Sequence, residues 1–290
     1  MTIIAGAGAE PVLPDCAGEI RTALGAAEPD WLAPGRACDL LLGDGDAATA
    51  ETAARRVIGE TPIDVLVQPV MGRRKRVFVA DLESTIIENE MLDELADFVG
   101  LRAHVAEITR RAMNGELDFA AALTERVALL KGLPATVLDE AATRIRLMPG
   151  GRALLATLRA VGVRTALVSG GFTVFADRIG AELGFEQVIA NRLDIADGRI
   201  AGTVAAPILT RESKRDTLVE LAQRYGVPLT ATLAIGDGAN DLPMLDAAGL
   251  GIAFHAKPAV AAASRWRLDH ADLTGVLFAQ GYRREEIAEP

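Results

Sequence analysis

From Val77 onward, short apolar runs rich in β-branched residues alternate with stretches of helical periodicity, which is how a parallel sheet covered on both faces reads. Three of these runs end in polar residues: VFVAD at 77–81, RTALVSGG at 164–171 and TLAIGDG at 232–238. Ligands of open parallel sheets bind beyond the carboxyl ends of the strands. Asp81, Ser169 and Asp237 are therefore expected to meet in one crevice. The first two runs are separated by about 80 residues, where a simple βαβ crossover needs far fewer. Within that gap, 90–145 shows helical periodicity four times over, with breaks near Gly100, Gly115 and Gly132-Leu133-Pro134. This predicts an inserted helical bundle, hung over the end of the sheet as a lid. Asp197-Gly198, between two alternating runs, predicts a β-hairpin.

The pattern before Val77 is different. It reads as strand (2–5), helix (about 15–26), strand (38–42), helix (about 47–59) and strand (63–67), a small α/β unit. The expected division is a small α/β domain at 1–72 and a sheet domain at 73–290, with a helical cap at about 89–147. GAGAEP at 6–11 looks briefly like a dinucleotide fingerprint, but Pro11 stands where the third glycine belongs, so a turn is expected. DGD at 44–46 reads as a turn and helix cap, because Arg55 occupies the position where a calcium loop needs its glutamate. The basic run Arg73 to Arg76 is expected to be a solvated linker.

Composition narrows the function classes. The 290 residues are half hydrophobic and only 4% aromatic, which describes a globular protein. A formal net charge of −10 argues against nucleic acid as a routine partner. Cys16 and Cys38 fit no disulfide framework or metal spacing, so a reducing compartment is expected. The first residues lack a basic leader region, and no uncharged apolar stretch approaches the ~18 residues of a membrane span. A cytoplasmic protein without membrane contact follows. The oligomeric state is not legible, and a homodimer is compatible with the sequence.

Asp81-Leu82-Glu83 places two carboxylates on the same side of an extended chain at the end of a strand. Phosphoester hydrolysis through a covalent intermediate needs both, one to attack phosphorus and one to protonate the leaving alkoxide and then deprotonate water. One anion attacking another also needs a cation, and carboxylate oxygens suit magnesium. Asp237 and Asp241, in GDGAND at 236–241, offer two more carboxylates on glycine-rich backbone. Ser169-Gly170-Gly171 adds a hydroxyl and amides at the start of a helix at about 173–183, an anion-binding arrangement whose plain alternative is a helix cap. Lys214, in the first turn of a helix at about 213–225, is badly placed unless an anion offsets it. Bound phosphate is the expected anion. Arg126 shares the helical stripe of Phe119, Leu123 and Leu130, where a ligand or a structural ion pair must accompany its charge. Glu90 has the simpler explanation of an acidic residue at a helix N-terminus. Met113 and Phe119 are expected to be apolar lid residues, and His104, His255 and His270 match no metal spacing.

Taken jointly, these segments resemble the haloacid dehalogenase superfamily in order and spacing, and within it the phosphoserine phosphatases. ENEMLDELA at 88–96, AMNGELDFAAALTERVALLKGLP at 112–134, SGGF at 169–172, ANRL at 190–193 and GDGANDLPML at 236–245 carry the likeness, which covers about 77–275. The resemblance implies a Rossmann-like parallel sheet with a helical cap, and hydrolysis of O-phospho-L-serine to L-serine, the last step of serine biosynthesis. It makes Asp81 the nucleophile, Glu83 the general acid/base, and Ser169, Gly170, Lys214 and Asn240 the phosphate binders. Mg2+ would be held by Asp81, the backbone carbonyl of Glu83 and Asp237, supported by Asp241, while Glu90 and Arg126 would grip the serine ammonium and carboxylate. A weaker likeness of residues 1–72 to the N-terminal domain of longer bacterial phosphoserine phosphatases implies a ferredoxin-like or ACT-like fold. One departure matters: the family's second aspartate is here Glu83. Phosphoserine:homoserine phosphotransferases also carry glutamate there, so transfer to an alcohol is the alternative, alongside a different small phosphomonoester as substrate. A binding module that has lost catalysis is the reading from another class.

Overall fold

The computed structural model describes residues 1–114 and 116–289; Gly115 and the Met113 side chain, both named above, lie outside the described residues. The chain opens with β1 (Thr2–Ala5), α1 (Leu13–Leu24), β2 (Asp30–Ala33), β3 (Ala37–Asp39), α2 (Ala47–Ile58) and β4 (Ile63–Leu66). These four strands form an antiparallel sheet in the order β2-β3-β1-β4. Sequence periodicity missed β2, a short edge strand whose first two residues are partly exposed and whose sequence, DWLA, lacks β-branched residues. Period-two alternation buries both faces of the sheet. Ile3, Ala5, Ile63 and Val65 meet α1 and α2, whereas Ile4 and Leu66 turn toward the main core.

The remainder runs β5 (Val77–Ala80), α3 (Met91–Asp97), α4 (Arg102–Met113), α5 (Phe119–Ala128), α6 (Thr136–Ala142), α7 (Gly151–Ala160), β6 (Arg164–Phe172), α8 (Thr173–Leu183) and β7 (Gln187–Asn191). It continues with β8 (Leu193–Ala196), β9 (Arg199–Val204), α9 (Arg211–Arg224), β10 (Thr232–Gly236), α10 (Leu242–Ala247), β11 (Leu250–Phe254), α11 (Pro258–Ala263), β12 (Trp266–Leu268) and α12 (Gly275–Ala279). Six parallel strands take the order β12-β11-β10-β5-β6-β7. From central β5 the chain winds to one side through β6 and β7, then returns to the other through β10 to β12. Such a switch point leaves a crevice at the carboxyl end of β5. The register sets Ala80 beside Leu167 and Ile235, so Asp81, Ser169 and Asp237 emerge together. Both faces of β5 are buried, Phe78 and Ala80 against one core and Val77 and Val79 against the other.

Helices α3 to α6 stand between β5 and α7, and the β8–β9 hairpin packs beside α5. Asp197 and Gly198 both take positive φ (51° and 69°), as a two-residue hairpin turn requires. The basic run departs from expectation. Arg73 pairs with Asp39, Arg74 lies over Tyr282 and pairs with Glu286, and buried Lys75 donates to the carbonyls of Gly72 and Thr230. Arg73 and Lys75 are pinned where a solvated linker was expected, because most of their partners come from segments distant in sequence, while Arg74 and Arg76 stay exposed.

Candidate active site

Asp81 follows β5, and its amide donates to Ile235 at 3.0 Å, which ties the residue to the end of β10. Its Oδ1 lies 2.7 Å from Lys214 Nζ, and the same ammonium reaches Asp241 Oδ1 at 2.6 Å. Lys214 is buried, and the carboxylates beside it offset its charge. Burial alone would lower its pKa, but Asp241 and Asp81 outweigh burial and raise it. The anions beside Lys214 are therefore two side chains, where phosphate alone was expected. Asp241 Oδ2 accepts the amides of Asp237 and Gly238 at 3.2 and 3.0 Å, which folds the GDGAND loop around it. That loop needs glycine at 236, since a Cβ there would stand 2.3 Å from Asp241 Cγ.

The SGGF segment ends β6, as the apolar run at 164–171 predicts, with pairing to β7 shifting between Ser169 and Phe172. Helix α8 begins at Thr173, where the sequence placed it, directly after this segment. Ser169 Oγ accepts the Gly171 amide at 2.9 Å, and Asn191 clamps Gly170 by donating to its carbonyl at 2.8 Å. Ser169, Gly170, Lys214 and Asn240 line one small cavity together.

A second cavity adjoins it, lined by Asp81, Glu83, Glu90, Arg126, Gly170, Asp237 and Asn240 with apolar Leu92, Phe119, Leu123 and Phe172. Phe119, from the inserted helices, packs so closely that a Cβ on Gly170 would lie 2.4 Å from its ring. Glu83 Oε1 accepts the Met91 amide at 2.8 Å, the first of α3, and its carboxyl group lies so close to Gly171 that a Cβ there would stand 3.0 Å from Oε2. The helix N-terminus is thus satisfied by Glu83. Glu90, although it precedes α3 directly, makes no capping bond and accepts instead from Ser84 Oγ at 2.6 Å. Arg126 is 3% exposed; its Nε donates to Ala122 O at 3.0 Å and one terminal nitrogen to Thr109 Oγ1 at 2.8 Å. It forms no ion pair with a carboxylate among the described residues. Burial lowers its pKa, while Glu83 and Glu90 oppose the shift.

Crowded, desolvated carboxylates resist ionisation. Burial, then Asp241, pushes Asp81 up to about 7 against Lys214. Burial raises Glu83 to about 7 despite the Met91 amide, and burial with Glu83 beside it raises Glu90 to about 8. Asp237 rises to about 7 through burial, opposed by Lys257. Oxygens of Asp81, Asp237 and Asp241 lie within 4.8 Å of one another. Among the described residues Asp237 Oδ2 accepts no well-aligned hydrogen bond, although the Lys257 ammonium stands 3.0 Å away, and Asn240 Oδ1 is likewise buried without a partner. An all-oxygen, electron-rich set with an unsatisfied carboxylate oxygen fits a hard divalent cation.

Every site residue expected from the sequence reaches these two cavities or their supporting bonds. Lys257, Asp93 and Thr109 were missed, and Ser84 was given no role at the site. Lys257 follows β11, a fourth strand with a polar carboxyl end, so the strand-end rule could have found it. The others carry no local signal. The histidines stay apart from the chemistry: His255 Nε2 bonds Ala271 O, and His104 is exposed.

A family model described as haloacid dehalogenase-like hydrolase matches residues 78–246. Over 239 residues the chain is 46% identical to a phosphoserine phosphatase of Mycobacterium tuberculosis, a match taking in 82% of this chain and 58% of that protein. It is similar to the solved phospho-aspartyl intermediate analogue of a phosphoserine phosphatase, with TM-score 0.68, 37% identity and coverage of 71% of this chain and 98% of the other. A HAD family hydrolase from Salmonella enterica serovar Typhi superposes with TM-score 0.84 at 29% identity, over 97% of each chain. The chain spans between 55% and 63% of the length of three curated relatives that it matches.

Proposed function

The chain belongs to the haloacid dehalogenase-like hydrolases, and on that premise we propose that it is a Mg2+-dependent phosphatase that hydrolyses O-phospho-L-serine. Arg126 carries the choice of substrate. A buried guanidinium without a carboxylate partner among the described residues, sharing a cavity with Asp81 and Glu90, suits a ligand that brings its own carboxylate. Glu90, at the same cavity, suits the ammonium, whose charge would hold its carboxyl ionised.

In the reaction, a carboxylate oxygen of Asp81 attacks phosphorus, the bond from phosphorus to the serine oxygen breaks, and the leaving alkoxide takes a proton from Glu83. The Glu83 carboxylate then takes a proton from water, which attacks the phosphoaspartate and releases phosphate and free Asp81. Ser169, the Gly170 backbone, Lys214 and Asn240 bind the phosphoryl oxygens. Asp241 holds Lys214 in place. Mg2+ would be held by Asp81, Asp237 and the Glu83 backbone carbonyl, supplying the charge that lets one anion approach another. Leu92, Phe119, Leu123 and Phe172 exclude water from the far end of the substrate.

Phosphate release from O-phospho-L-serine should require Mg2+, stop in EDTA, and be absent in a folded Asp81→Asn variant, because an amide forms no phosphoaspartate. Substantial turnover by Asp81→Asn would sink the covalent mechanism. Added homoserine tests the acceptor: phosphohomoserine in place of free phosphate would make the protein a transferase.

A further inference from the structure

Arg126 is aimed by a short chain of side chains taken from three different helices. It lies on α5 and donates to Thr109 Oγ1 on α4 at 2.8 Å, and Thr109 Oγ1 in turn lies 2.8 Å from Asp93 Oδ1 on α3. The single hydroxyl proton of Thr109 has two acceptors within reach, Asp93 and the carbonyl of Val105 at 3.0 Å. The carboxylate is the stronger. With the proton turned to Asp93, the hydroxyl lone pairs are free to receive Arg126. Thr109 and Arg126 are both buried, so neither bond is replaced cheaply by water.

The order of these groups matters. Asp93 in direct contact with Arg126 would form a two-bonded pair and occupy the guanidinium edge that a ligand needs. An interposed hydroxyl fixes the guanidinium plane and leaves its charge unneutralised at close range. The Arg126 Nε bond to Ala122 O, within its own helix, holds the second side. Arg126 itself lines the cavity shared with Asp81 and Glu90.

We infer that Thr109 and Asp93 are positioning residues that aim Arg126 at the carboxylate of the substrate, an inference that rests on the phosphoserine reading above. Neither touches the reacting atoms. Their effect should appear as discrimination between substrates with and without a carboxylate.

The test compares kcat/KM for O-phospho-L-serine and phosphoethanolamine, which keeps the ammonium and lacks the carboxylate. Thr109→Val preserves side-chain shape and removes both hydrogen bonds. The preference for phosphoserine should fall about tenfold, mainly through KM, as expected for one buried hydrogen bond to a charged group. Thr109→Ser should restore it, and Asp93→Asn should lower it by a smaller factor. Equal slowing of both substrates by Thr109→Val, or an unaltered preference, overturns the inference. Should Thr109→Val fail to fold, Asp93→Asn decides, and full wild-type preference in that variant is the overturning result. If the wild type itself shows no preference for phosphoserine, the phosphoserine reading has failed, and this inference falls with it.

Discussion

Glu83 is where physics must replace pattern, since its side chain exceeds aspartate by one methylene, about 1.5 Å of reach. The added reach brings Oε1 to the first amide of α3, with the carboxyl group lying close beside Gly171, while no hydrogen bond engages Oε2 among the described residues. One oxygen is anchored and the other is available for proton transfer. Serine departs as a poor alkoxide and needs a proton donor, whereas an aryl phosphate has a better leaving group and needs less help. Glu83→Gln should therefore slow phosphoserine hydrolysis by about 10²- to 10⁴-fold, and the first step with an aryl phosphate far less. Water activation is lost too, so phosphorylated Asp81 should accumulate with the aryl substrate. Rapid quench with intact-protein mass measurement reads it. Equal slowing of both first steps, with no trapped phosphoenzyme, would show that another group moves the proton.

At the scale of one element, α5 brings Phe119, Leu123 and Arg126 to the cavity on successive turns. Its start is defined by Asp118, whose side chain accepts the Ala121 amide at 2.8 Å. Without that acceptor the first turn frays, and Phe119 and Arg126 lose their common frame. Asp118→Ala should cost about 1 kcal/mol and lower the thermal midpoint by about 2 °C, with Asp118→Ser recovering most of the loss. Scanning calorimetry on the three proteins measures this, and an unchanged midpoint would mean that α5 is held by its packing alone. Helix α5 was legible because its apolar residues recur at helical spacing. The partners that orient Arg126 were not, because Asp93 and Thr109 lie on other helices and look like ordinary surface residues in sequence.

Across the whole molecule, buried Asp64 on β4 joins the two sheets by accepting the amides of Asp269, His270 and Ala271 at 2.7, 3.2 and 2.8 Å. Trp266 Nε1 donates to Val67 O, Gln68 to Ala279 O, and Arg283 pairs with Asp30, all across the same boundary. Asp64→Ala would leave three amides without their acceptor, at a cost of about 3 kcal/mol. The boundary should then open more often and release the basic run at 73–76. Trypsin should cut Asp64→Ala there at least tenfold faster than the wild type, under conditions where both remain folded. Equal cleavage rates would show that the remaining contacts suffice to hold the boundary closed.

Strand ends, helix periods and the Asp197-Gly198 turn were determined by sequence alone, because each depends on residues only a few positions apart. The same locality explains why β2, too short and too exposed to show a period, escaped notice. Residue chemistry at the strand ends was legible as well, since carboxylates and glycines stand out where an apolar run stops. What only the tertiary structure decided is which groups face one another. Lys214 meets Asp81 and Asp241, Glu83 caps a helix that Glu90 precedes, Arg74 stacks on Tyr282, and Arg126 rests on Thr109. The physical reason is range: backbone propensity acts over a turn or a strand, whereas a buried charge takes its partner from whatever element packing brings beside it.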